Sequence, residues 1–294
     1  MAKERRPLAG KVVAITGGAR GIGRATAAAL VRKGCKVAIG DVDLTTAEET
    51  AEALGAGTVA LSLDVTARPS LERFLDEVEN RLGPLDVLVN NAGIMPVTPF
   101  LEESEDSILR QVDINLHGVI SGTQLAIARM LPRGGGHIVN IASQAGKGGV
   151  PGIATYSATK HGVVGLSEAV RVELRGSGIE VSCVMPTVVN TELTHGVSQP
   201  LVRPVEPEDV ANAIVDALEV PRFDVFVPRA NGIMIKVLAL LPRAGREWLA
   251  RFMGIDKLMT EIDEEARRHY EERAAASRSS ALDAEKAEAS REAA

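Results

Sequence analysis

Short apolar runs rich in Val and Ile alternate along this chain with longer segments of helical period, and that alternation constrains the fold more than any other feature. The runs are Lys11–Thr16, Lys36–Asp41, Thr58–Asp64, Leu85–Asn90, His137–Ala142, Glu180–Met185 and Phe223–Val227. Between them, helices are expected near Gly23–Lys33, Leu44–Leu54, Ser70–Leu82, Ser104–Met130, Ala154–Arg175 and Pro207–Leu218. Strands that alternate with helices build βαβ units, so the expected fold is α/β: a doubly wound parallel sheet of seven strands in one domain, residues 1–229. With 5 Phe, 1 Trp and 2 Tyr in 294 residues, the core has to be built from Val, Ile, Leu and Ala, which suits buried parallel strands.

Past residue 229 the pattern changes. Residues 230–262 are apolar and basic, and Trp248, Phe252, Ile255, Met259 and Ile262 recur at helical spacing as one stripe, with Arg229, Lys236, Arg243, Arg246 and Arg251 nearby. Such an amphipathic helix either docks on its own domain or a second subunit, the reading favoured here, or lies on an anionic membrane surface. Residues 263–294 are rich in Ala, Glu, Arg and Ser, and a solvated helix fading into disorder is expected there.

Charge and composition exclude several classes of function. With 33 Lys+Arg against 39 Asp+Glu the formal charge is −6, and aromatic residues make up 3%. A nucleic-acid binder needs a basic excess for the phosphates and aromatics to stack on bases, so none is expected. Cys35 and Cys183 sit in no CxxC or Cys/His cluster, which leaves no disulfide framework and no metal site; both read as small core residues. Val12–Ile15 is too short for the apolar part of a signal peptide, and no run approaches the ~18 apolar residues of a membrane span. The expected location is cytoplasmic, with peripheral membrane contact through the extension as the variant.

The first strand runs into Thr16-Gly17-Gly18-Ala19-Arg20-Gly21-Ile22-Gly23, directly before an Ala-rich helical segment. Glycines here let the chain turn sharply and bring a pyrophosphate against the positive end of the helix, and the Lys-Ser/Thr ending of a P-loop is absent. Asp41 ends the second strand 18 positions after Gly23, where a carboxylate accepts hydrogen bonds from an adenosine ribose and repels a 2′-phosphate. That favours NAD over NADP; Asp43 competes for the role, and Arg20 is the residue that would meet a phosphate instead. Asp64-Val65 either sets a carboxylate beside the adenine amino group or caps the turn toward Ser70, and Asn90-Asn91-Ala92-Gly93 either packs flat against a cofactor ring or makes an Asx turn.

Tyr156 and Lys160 are four apart in a helical segment and so share a face, where a buried ammonium would favour the phenolate. Ser143 closes the fifth strand 13 residues before Tyr156, at the carboxyl edge where α/β sheets bind ligands. Taken together, TGxxxGIG at Thr16–Gly23, NNAG at Asn90–Gly93, and Asn115, Ser143, Tyr156 and Lys160 in that order resemble the classical short-chain dehydrogenases/reductases over roughly Leu8 to Val227.

The resemblance implies a Rossmann-type domain that interconverts a secondary alcohol and a ketone by hydride transfer with a nicotinamide cofactor. Tyr156 would exchange the proton of the reacting oxygen, Ser143 would hydrogen-bond that oxygen, Lys160 would hold the nicotinamide ribose and depress the tyrosine pKa, and Asn115 would anchor a water linking Lys160 to solvent. After the sixth strand the family commonly has Pro-Gly, whereas this chain has Pro186-Thr187. By resemblance Val189 would meet the carboxamide and Thr191 the carboxamide or pyrophosphate, with Pro186 beside them. Thr187 adds a side chain at the site and requires a negative φ. Ile94, Met95, Gly149, Val150, Pro151, Ile153, Val188 and Leu193 are the expected pocket walls, and they suit a lipophilic alcohol or ketone; His195, in the following loop, reads as a surface residue. The family also implies a homodimer or homotetramer built through the helices bearing Asn115 and Tyr156. The alternatives are an NADP-dependent 3-oxoacyl or carbonyl reductase and, outside enzymes, a cofactor-sensing or membrane-associated scaffold.

Overall fold

Seven parallel strands form one sheet in the order β3-β2-β1-β4-β5-β6-β7 in the computed structural model, which describes residues 5–196, 203–238, 240–252 and 263–277. The strands are β1 (Val12–Thr16), β2 (Lys36–Asp41), β3 (Val59–Ser62), β4 (Val87–Asn90), β5 (Gly136–Ile141), β6 (Ile179–Pro186) and β7 (Asp224–Val227). The helices are α1 (Gly21–Arg32), α2 (Leu44–Leu54), α3 (Arg68–Leu82), α4 (Glu105–Val112), α5 (Gly118–Met130), α6 (Ala154–Glu173), α7 (Pro207–Glu219), α8 (Arg229–Leu238), α9 (Arg243–Phe252) and α10 (Glu264–Ala276). This is the expected doubly wound, Rossmann-type architecture. The strand order reverses between β1 and β4, which pair directly (Ile15 opposite Val89), and such a reversal opens the crevice where α/β sheets take ligands.

The two-residue period of the strands sorts the core. Val13 and Ile15 of β1 pack with Leu30 and Ile214 on one face, whereas Val12 and Ala14 pack with Leu71, Leu75 and Leu125 on the other. Each fully buried Leu or Ile there contributes roughly 1.5–3 kcal/mol. Local chemistry sets the helix starts: Asp43 accepts from the Thr46 N–H to cap α2, and Pro207 opens α7 behind a capping box of Glu206 and Asp209.

Two expectations are corrected. The single helix read over Ser104–Met130 is two helices joined by a π turn, Asp113–His117. The segment read as a solvated tail contains α10, which is docked: Arg267 is 1% exposed and Ala274 4%. A polar sequence packs here because Arg267 finds backbone carbonyls to satisfy it. In the extension, α8 packs one face on β7, with Gly232 against Phe226, and leaves Ile233 and Val237 exposed together with Leu240 and Trp248. Of the expected stripe, Ile255, Met259, Ile262 and the side chain of Phe252 lie outside the described residues. Among the described residues no helix is long and apolar enough to cross a membrane.

Candidate active site

The glycine turn after β1 is held from β4. Asn91 Nδ2 donates to the carbonyls of Thr16 (3.0 Å) and Gly17 (2.8 Å), while Thr16 Oγ1 accepts from the N–H groups of Asn91 and Ala92. Gly17 has φ +65°, and a Cβ there would stand 2.8 Å from Ala92 Cα; at Gly23 a Cβ would overlap the Gly17 carbonyl oxygen. The turn therefore requires glycine at both positions. No side chain caps α1 and its first turn contains no acid, so its leading N–H groups stay available to an anion. These residues fit a pyrophosphate.

Asp41 and Asp43 have different tasks. Asp41 accepts from the N–H groups of Ala19 and Asp43, each at 3.1 Å, and lines the cavity at the end of β2. Asp43 is bound to Arg20 Nη2 at 2.7 Å and to the α2 start, and the Arg20 hydrogen bond, aided by Thr46, lowers its pKa to about 2. The Arg20 guanidinium is thus already matched by a carboxylate and also donates to Thr46 Oγ1. Asp64 combines both expectations: its Oδ1 accepts from Thr66 within the turn, its N–H donates to Ser70 Oγ, and it lines the cavity with Val65.

At the other end of the crevice Ser143, Tyr156 and Lys160 face one space. Ser143 starts the turn Gln144–Gly146, its Oγ accepting from Ala145 N–H at 3.1 Å. Lys160 Nζ donates to the Ile141 carbonyl at 2.9 Å and lies 5.5 Å from the Tyr156 ring centre. Burial governs both ionisations. It raises the Tyr156 phenol to about 12, against a hydrogen bond with Ser143 that works the other way, and lowers Lys160 to about 8. In the folded chain by itself burial therefore keeps the phenol protonated. Asn115 sits behind the cavity wall in the π turn; its Oδ1 accepts from Ile94 N–H and its Nδ2 donates to the Ile94 carbonyl, both at 2.8 Å, fixing the loop after β4. Gly93 leaves room between Asn115 and Lys160: a Cβ there would stand 3.1 Å from Asn115 Oδ1 and 3.6 Å from Lys160 Nζ.

These residues line one cavity of about 1420 Å³. It brings together Gly17, Arg20, Gly21, Ile22, Asp41, Asp64, Val65, Asn91, Ala92, Gly93, Pro186, Val189 and Thr191 with the catalytic candidates Ser143, Tyr156 and Lys160. Gly23 and Asn115 act from behind it. Thr187 takes a backbone outside the left-handed region, donates its N–H to the Val227 carbonyl at 2.8 Å and adds its side chain to the wall. Of the expected apolar walls, all but the exposed Pro151 are present. His195 is exposed and rests against the Ala266 carbonyl, away from the cavity. The sequence reading missed the part of the wall supplied by α8 and α10, above all Tyr270 and Arg273. The available signal was Tyr270 itself, one of two tyrosines, placed between Arg267 and Ala274 at helical spacing in an otherwise polar segment.

Comparison with known proteins agrees with this geometry. The model of the family described as short chain dehydrogenase matches residues 11–201. Sorbitol dehydrogenase of Cereibacter sphaeroides is 42% identical over 192 residues, covering 65% of this chain and 75% of that protein. Human 17-beta-hydroxysteroid dehydrogenase 13 is 29% identical over 259 residues, 86% of each chain. Among solved structures, a short chain dehydrogenase/reductase from Burkholderia phymatum in complex with NAD superposes with a TM-score of 0.73 at 27% identity, covering 80% of this chain and 94% of that one.

Proposed function

The chain belongs to the short-chain dehydrogenase/reductase family of oxidoreductases, and from that premise we propose that it is an NAD-dependent enzyme interconverting a secondary alcohol and a ketone on a lipophilic substrate. The observation that carries this reading is the convergence of Ser143, Tyr156 and Lys160 on one apolar-walled cavity that also receives the uncapped α1 N-terminus and Asp41. A nicotinamide dinucleotide held along Gly17–Gly23 and Asp41 would supply or accept the hydride.

The protein's own groups do the rest. Ser143 Oγ hydrogen-bonds the reacting oxygen and fixes its position. In reduction the Tyr156 hydroxyl donates its proton to that oxygen; in oxidation the phenolate takes it back. A phenol raised to about 12 is a reserved acid, so oxidation requires added positive charge nearby; the Lys160 ammonium is placed to provide it and would donate to a ribose hydroxyl of the bound cofactor. Asn115 holds the Ile94 backbone on the Gly93 side of Lys160, the place from which a water would connect that ammonium to solvent.

Asp41 supports NAD, because its carboxylate suits ribose hydroxyls and opposes a 2′-phosphate, while Arg20 is neutralised by Asp43. The two relatives carry the names of enzymes for very different substrates, a polyol and a steroid; Ile94, Met95, Val150, Ile153, Val188 and Leu193 favour the lipophilic one. Exposed Phe100, Leu101, Val112 and Val172 beside α4 and α6 support a homo-oligomer, and the exposed face of α8 and α9 is the candidate for a membrane contact. The test is a titration with NADH and NADPH followed by a turnover screen of secondary alcohols and ketones. NADH should bind tighter, and Tyr156→Phe should abolish turnover while keeping NADH affinity. Tenfold tighter NADPH would replace the cofactor assignment with the carbonyl-reductase alternative, and undiminished turnover in Y156F would overturn the mechanism.

A further inference from the structure

The chain has two tyrosines, and both line the same cavity. Tyr270 arrives there on α10, which is clamped to two loops of the domain. Asp263, the N-cap of α10, donates its N–H to the Gly196 carbonyl at 2.8 Å, and Gly196 (φ +74°) approaches so closely that a Cβ would meet the Asp263 carbonyl oxygen at 2.8 Å. Arg267 donates to the carbonyls of Leu193 (3.1 Å), His195 (3.2 Å) and Met95 (3.0 Å) and is paired with Glu271 at 2.7 Å. Arg273 pairs with Glu192. The loops after β4 and β6 therefore fix α10, and the Tyr270 ring lies 5.0 Å from the Arg267 guanidinium.

The Tyr270 hydroxyl is accordingly oriented. Its oxygen accepts from the Met95 N–H at 2.6 Å, which leaves its own hydrogen to donate, and among the described residues that hydrogen has no acceptor. Burial raises its ionisation above the ordinary tyrosine range, with Tyr156 close enough to contribute, so the group stays a donor at any working pH. Tyr270 packs with Ile94 and Ala274, and Met95, Leu193 and Val188 form with Tyr156 a second apolar cluster of the same cavity wall.

We propose that Tyr270 is a specificity-determining residue that donates its O–H to a second, non-reacting oxygen of the substrate, so that the preferred substrate is an apolar skeleton bearing one oxygen for Ser143 and Tyr156 and another for Tyr270. This rests on the oxidoreductase reading above. A fixed donor amid apolar side chains discriminates because a substrate without the matching acceptor leaves that donor unpaired.

The experiment compares methyl ketones with keto esters of equal chain length, the ester carbonyl placed at successive positions from the ketone, in the wild type and in Tyr270→Phe. In the wild type one ester position should raise kcat/KM about five- to tenfold over the plain ketone, mainly through KM. Y270F should erase that preference, bringing the kcat/KM ratio of the best keto ester to the plain ketone to about one, and bind NADH as the wild type does by fluorescence titration. No preferred position in the wild type would overturn the proposal by itself, so the test stands even if Y270F folds poorly. Equal loss on ketone and keto ester in Y270F would also overturn it, since that marks a purely structural tyrosine. Wild-type protein that binds NADH yet turns over no ketone or ester would instead overturn the oxidoreductase reading on lipophilic ketones, and this inference with it.

Discussion

At the scale of single residues, burial decides what each titratable group does. His137, 5% exposed in β5, bonds Ser182 Oγ at 2.9 Å, and burial lowers its pKa to about 3. The unfolded chain takes up this proton near pH 6.5 and the folded one does not until about 3, so stability is complete above pH 6.5 and falls as pH drops toward 3. The slope for one such group is at most about 1.4 kcal/mol per pH unit. His137→Gln should flatten that acid limb in urea unfolding curves taken across the interval; an unchanged limb would mean another group carries it. The same logic separates the two neighbouring carboxylates. Both line the cavity, but Asp43 is committed to Arg20 and the start of α2, whereas Asp41 accepts only backbone N–H groups. Sequence spacing leaves these two as competitors because both stand near the end of β2; in the folded chain they differ in their partners, Arg20 for Asp43 and backbone N–H groups for Asp41.

Among the elements, α10 is the one whose role its sequence conceals. Its face carries few large apolar groups, so hydrophobic burial alone would not hold it. The guanidinium of Arg267 holds it instead, through three loop carbonyls, with Glu271 of the same helix balancing its charge. Arg267→Met should free α10 and remove about 3 kcal/mol from its docking, since buried carbonyls lose charged donors. Limited proteolysis should then cut within 263–277 while the sheet domain unfolds near its original temperature; a protease-resistant α10 in R267M would assign the docking to Tyr270 and Ala274. The π turn at Asp113–His117 has a related lesson: helical periodicity continues through the turn, so the sequence reads as one helix, but the turn directs Asn115 at the Ile94 backbone.

At the scale of the whole molecule, the faces of the sheet are covered by its own helices while several apolar side chains remain outside. Val112 of α4 is 38% exposed and Val172 of α6 is 50% exposed. A second copy of the chain packed over α4 and α6 would cover them, and light scattering should then give a multiple of 31.0 kDa for the wild type. Val112→Asp combined with Val172→Asp should return the 31.0 kDa species with NADH binding retained. A monomeric wild type would overturn the oligomer reading.

The amino-acid sequence by itself determined the seven-stranded parallel sheet, the glycine turn, the Ser143, Tyr156 and Lys160 set and the acid at β2. These are local: strand runs, turns and one-turn helix spacings are dictated by neighbours in the chain, and the topology of βαβ units then carries them to the same sheet edge. Only the tertiary structure decided which carboxylate is paired with Arg20, that burial holds Tyr156 protonated, and that α8 and α10 complete the wall with Tyr270. Those outcomes depend on desolvation and on contacts between residues more than 170 positions apart, as in the bonds from Met95 to Tyr270 and from Arg267 to Met95, and no local pattern encodes them.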